Sequence, residues 1–126
     1  PALLYLFDDP EMGGTGFYRW KEPEFWQQMT AAQRDDPDAG IEILREKFQM
    51  FRDPACYMTE SNEAAELLDV VPAKFNRFVF YSGSLPHSAY IPNPGLLSPD
   101  PAQGRLTLNC FVNALPKNRE TAASAG

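Results

Sequence analysis

Arg105-Leu106-Thr107-Leu108-Asn109-Cys110-Phe111-Val112 is the stretch that decides the fold. Side chains of a strand alternate between its two faces. Leu106, Leu108 and Cys110 therefore share one face, and Arg105, Thr107, Asn109 and Phe111 the other. A row of Arg, Thr and Asn is odd for a core face. One reading is the exposed side of a half-solvated sheet. The other is functional: a planar guanidinium binds a carboxylate bidentately, with Thr107 as a helper donor.

Other segments upstream also read as strands. Ala2–Phe7 is apolar throughout, as in a strand buried on both faces. Asp8-Asp9-Pro10-Glu11 and Gly13-Gly14 then supply turn chemistry, and Thr15–Trp20 reads as a second short strand. Phe75–Tyr81 is the strongest strand by composition, ended by Gly83. Cys56–Thr59 and Ser88–Ile91 read as brief strands. Ala64–Val71 starts like a helix and ends extended. Asn93–Gly104, with Pro92, Pro94, Pro99 and Pro101 in and beside it, reads as an ordered irregular loop.

Residues 21–52 differ. Pro23 suits a first helical turn flanked by Glu22 and Glu24. Phe25, Met29 and Ala32 share a helical face. Asp35-Asp36-Pro37-Asp38 ends that helix and can begin another. Ile41, Leu44, Phe48 and Phe51 form the clearest amphipathic pattern, stopped by Arg52-Asp53-Pro54. The expected order is β-β-α-α-β-β-β-β, a mainly β domain over residues 1–113 with a helical insertion. Residues 114–126 are small and polar and read as a disordered tail.

The chain has 126 residues, enough for one domain and too short for two ordinary ones. Seventeen acidic against eleven basic residues give a net charge of −6, which disfavours binding to a phosphate backbone. No apolar run is long enough for a membrane span. Cys56 and Cys110 have no metal or redox spacing. They read as free buried thiols of a cytoplasmic protein, with a disulfide as the alternative. The chain has no initiator Met and opens directly on an apolar strand, so it reads as part of a larger protein.

Few residues carry evident chemistry. His87, the only histidine, follows a Gly-containing bend; it is either a surface turn residue or a metal ligand or general base. Gly13-Gly14-Thr15-Gly16 lacks the Lys-Ser/Thr of a phosphate loop, so it reads as a bend. Asp8, Asp9 and Glu11 read as a solvated turn rather than a cation site. Tyr5, in a buried strand, needs a hydroxyl partner, either in the core or on a ligand carboxylate.

Tyr5-Leu6-Phe7 followed by Gly13-Gly14-Thr15-Gly16-Phe17-Tyr18 resembles the Tyr-Leu-Asn … Gly-Gly-x-Thr-x-Phe stretch of prolyl-hydroxylase-like oxygenases. These are iron(II)/2-oxoglutarate-dependent dioxygenases of the double-stranded β-helix (jelly-roll) fold. Asn76–Tyr81 through His87-Ser88, then Gly104-Arg105-Leu106-Thr107-Leu108-Asn109, resembles their distal half. A poorly characterised bacterial branch has the most similar wording. The likeness covers residues 1–20 and 74–113.

The resemblance implies a partial jelly roll with Fe(II) as metal and 2-oxoglutarate as cosubstrate. His87 matches the distal iron ligand, Arg105 the residue that binds the far carboxylate of 2-oxoglutarate, and Tyr5 the tyrosine that bonds the cosubstrate in some members. Thr107 is their neighbour. The implied activity is hydroxylation of a small-molecule or peptide substrate. Trp20, Trp26 and Tyr90 are candidate aromatic walls for it, with core packing the favoured role for Trp26.

Two departures accompany the likeness. His87 and Arg105 are eighteen positions apart, so the loop at 93–103 must be accommodated; a surface loop tolerates such an insertion. The His-x-Asp pair that supplies the other two ligands is absent, and by the family order it would precede residue 1. The expectation is therefore a chain inactive by itself. The alternative is a non-catalytic β-sandwich or cupin-like binding module.

Overall fold

Two three-stranded antiparallel sheets face each other in a computed structural model that describes residues 1–113. The first sheet has the order β4-β1-β6, built from β1 (Ala2–Tyr5), β4 (Phe78–Phe80) and β6 (Thr107–Cys110). The second has the order β3-β2-β5, from β2 (Gly14–Trp20), β3 (Ala65–Pro72) and β5 (His87–Tyr90). Only β2 and β3 follow one another within a sheet, and the helices lie in that connection. The fold is mainly β with two helices, in the expected element order. The expected tail at 114–126 lies outside the described residues.

Leu3, Tyr5 and Phe7 project from β1 and the residues after it into a core shared with Ala73, Met12 and Val79. The opposite face of the first sheet is apolar yet open. Leu4 pairs with Phe78 and Leu108, and Ala2 with Phe80 and Cys110. Phe78, Phe80 and Leu108 on that face are exposed.

The helical pair is set by local chemistry. Helix α1 (Pro23–Asp35) begins with Pro in its first turn, which loses no intrahelical bond there. Asp36 closes α1 and caps α2 (Pro37–Lys47), its carboxylate accepting from the Asp38 amide at 3.0 Å. Trp26, Met29, Phe48 and Ala64 form a second core, against which Trp20, Leu44 and Phe51 pack.

Several expectations are corrected. Strand β1 stops at Tyr5, short of Phe7. Cys56–Thr59 is not a strand, and Ala64–Val71 has no helical start, because its pairing with β2 runs from Ala65 to Pro72. The run at 75–81 keeps only Phe78–Phe80 extended, since Asn76 turns the chain at a φ of 63°. Phe48 ends α2 and a 3-10 turn (Gln49–Phe51) follows, so the predicted helix face spans two elements. Ile41 on that face is 40% exposed. Both cysteines are free but exposed, because Cys110 lies on the open outer face of β6 and Cys56 in a loop. Among the described residues no helix is long and apolar enough to cross a membrane.

Candidate functional site

The site starts at the Gly13-Gly14 bend. Gly13 has a φ of +86°, a region that L side chains avoid. A Cβ there would lie 1.8 Å from the Tyr90 carbonyl oxygen, and one on Gly14 would lie 2.1 Å from that of Val71. The two glycines thus let β2 enter between β3 and β5. This close approach places Thr15 opposite Val71 and Ala89, facing the first sheet.

Arg105 enters from the other sheet, just before β6. Its Nη2 donates to the Gly14 carbonyl at 2.6 Å. The guanidinium lies 5.6 Å from the Phe7 ring centroid and 6.0 Å from that of Tyr5, within range of cation–π attraction. Burial lowers its pKa, but an arginine stays cationic at neutral pH. Its Nε is buried without a hydrogen-bond partner among the described residues. The ion pairs among the described residues are Arg19–Glu66 and Lys47–Glu22, so no carboxylate there compensates Arg105. A desolvated cation with a spare donor is costly unless an anion completes it.

A pocket of about 340 Å³ opens beside this cation, between the two sheets. Arg105, Thr107 and Asn109 line it from β6 and the residue before it, Thr15 and His87 from the second sheet, and Tyr81 from the end of β4. The face that carries Arg105, Thr107, Asn109 and Phe111 is therefore the pocket wall, and Leu108 and Cys110 point away from it.

His87 opens β5 at the pocket rim and is exposed. Its Nδ1 lies 2.7 Å from the Leu85 carbonyl. A carbonyl only accepts, so Nδ1 carries a proton and Nε2 is the ring nitrogen left for another partner. The Tyr81 ring packs edge-on against the imidazole, with centroids 4.5 Å apart. Fixing one ring nitrogen in this way is how a histidine is oriented as a metal ligand. Iron needs more: among the described residues no group of three His, Cys, Asp or Glu converges. These residues supply one ligand and do not by themselves fit the metal.

The structure brings His87, Arg105 and Thr107 to one pocket and sets Tyr5 behind it. The Tyr5 side chain is fully buried, and its hydroxyl hydrogen-bonds to Thr15 Oγ1 at 2.5 Å. Desolvation raises its pKa, so the phenol is neutral at physiological pH. Tyr5 touches the pocket through Thr15 rather than lining it. Sequence reasoning missed Thr15, Tyr81 and Asn109. The alternation in 105–112 had placed Asn109 on the correct face; nothing comparable singled out Thr15 or Tyr81. Of the candidate aromatic walls, Trp26 is core and Tyr90 meets Gly13 through its backbone.

Neither a curated protein nor a solved structure matches the chain. Residues 2–112 match the model of a family of unknown function, DUF6445. That match spans most of the sequence, and the chain belongs to this family.

Proposed function

We propose that the pocket binds 2-oxoglutarate and that the chain forms the distal part of an iron(II)/2-oxoglutarate-dependent oxygenase of the double-stranded β-helix type. The observation that carries the reading is the half-buried Arg105 side chain, which lines the pocket with no carboxylate partner among the described residues. Arg105 clamps the far carboxylate of the cosubstrate, with the Thr107 and Thr15 hydroxyls as further donors. Tyr5 orients Thr15. His87 Nε2 would be one ligand of an iron ion, which would supply the oxidative chemistry; no further ligands converge on it among the described residues.

Support also comes from the strand order. The chain crosses between its two sheets at every connection except β2–β3, the winding expected of a jelly roll.

The reading is tested by calorimetric titration with 2-oxoglutarate and with 2-oxobutyrate, which lacks the far carboxylate. 2-Oxoglutarate is expected to bind at least about tenfold more tightly, the equivalent of one charge-assisted contact. Equal affinities would remove the role given to Arg105.

One observation favours a second reading, a carboxylate-binding module without a metal: His87 is the only histidine of the chain, and no three-ligand cluster forms among the described residues. The gene separates the two. A His-x-Asp encoded ahead of residue 1 selects the oxygenase, and a complete gene without it selects the binding module.

A further inference from the structure

Three aromatic rings of the second core lie nearly parallel in succession. Phe48 and Trp26 lie 13° from parallel with centroids 6.0 Å apart, and Trp26 and Trp20 lie 21° from parallel at 3.8 Å. Phe48 and Trp26 are buried, whereas Trp20 is half-buried at the end of the row. Trp20 borders two adjoining hollows of about 280 and 500 Å³. Both share Tyr18, Trp20, Ser84, Leu85 and Pro86 as walls. Met58 and His87 complete the smaller one.

The walls are chemically selective. Among the described residues no Lys, Arg, Asp or Glu lines the smaller hollow. Arg19 reaches the larger one, but its guanidinium is tied to Glu66. The Tyr18 hydroxyl donates to the Met58 carbonyl at 2.7 Å, so it is already satisfied. An ion would be desolvated here without compensation, whereas a flat apolar ring would extend the stack. His87 and Ser88 border both this hollow and the Arg105 pocket, so the two sites meet at the imidazole.

The geometry points to this hollow as a binding site for an uncharged planar aromatic ring, carried by the molecule on which the Arg105 pocket acts. The ring site stands on its own walls; its assignment to the substrate rests on the oxygenase reading. Trp20 is the stacking surface, and Met58, Leu85 and Pro86 enclose the edge of the ring.

Indole is the probe, titrated calorimetrically into the full chain, with cyclohexanol as an aliphatic control. Indole is expected to bind saturably and more tightly than cyclohexanol. Trp20→Leu is expected to weaken indole at least about tenfold by loss of stacking. Trp20→Phe keeps most of the affinity. 2-Oxoglutarate binding is unchanged in Trp20→Leu, and a native far-ultraviolet circular dichroism spectrum shows that the variant is folded. If Trp20→Leu misfolds, Leu85→Glu replaces it and must likewise abolish indole binding. Absence of saturable indole binding, equal binding of cyclohexanol, or unchanged indole affinity in a folded Trp20→Leu chain overturns the inference. Indole binding by a chain that ignores 2-oxoglutarate would uphold the ring site and defeat the oxygenase reading instead.

Discussion

Arg105→Ala is expected to weaken 2-oxoglutarate binding by about 1.5–3 kcal/mol, or roughly ten- to 150-fold. The loss follows from geometry. The guanidinium is half-buried, makes one short bond to the Gly14 carbonyl, and leaves a buried Nε without a partner among the described residues. A carboxylate in the pocket would supply the missing charge. Arg105→Lys should recover only part of the affinity, because an ammonium cannot present a planar fork. 2-Oxobutyrate should bind the wild type and Arg105→Ala alike. Calorimetry on the three proteins checks the set; an unchanged dissociation constant for 2-oxoglutarate in Arg105→Ala would end the assignment.

Gly13→Ala is expected to cost about 3 kcal/mol of stability or more, through two named effects. A φ of 86° with a ψ of −151° is a conformation populated essentially only by glycine, and holding a residue with a Cβ there costs about 1–3 kcal/mol. The new Cβ would also meet the Tyr90 carbonyl oxygen at 1.8 Å, which no side-chain rotation relieves. Strand β2 would have to move away from β5, carrying with it Thr15 and the Gly14 carbonyl that holds Arg105. The melting temperature should fall by about 10 °C for a chain of this size. Gly95→Ala is the control: nothing lies within 4 Å of a Cβ there, so its effect should stay within about 0.5 kcal/mol. A Gly13→Ala protein as stable as the control would contradict the close packing of the bend.

These two positions also show how far the sequence can be read. The alternation of 105–112 divides its side chains between two faces correctly, and the pocket wall is the face that carries Arg105, Thr107, Asn109 and Phe111. Which face lies inward does not follow from the pattern, because apolar faces normally point to the core. Here Leu108 and Cys110 point outward on an open sheet face. The Gly13-Gly14 bend is legible as a bend, since glycine supplies the positive φ. Its contact with Tyr90 joins residues far apart in sequence, which no local signal encodes. The same holds for Thr15, whose role depends on Tyr5 crossing from the other sheet.

Aromatic composition misled at Phe75–Tyr81. The run has strong strand propensity, yet Asn76 adopts a positive φ and Arg77 donates to the Pro72 carbonyl, which shortens the strand to three residues. Tertiary context outweighs β-propensity there. The helices were more legible because their boundaries are local. Pro23, Asp36 and Pro37 set them through chemistry within one turn.

The proposed dicarboxylate site lies in the space between Arg105 and His87. Amide chemical shifts followed during a 2-oxoglutarate titration test it most directly. The largest saturable changes are expected on Thr15, His87, Arg105 and Thr107, from both sheets together. Changes confined to other surfaces, or no saturable change at all, would contradict it.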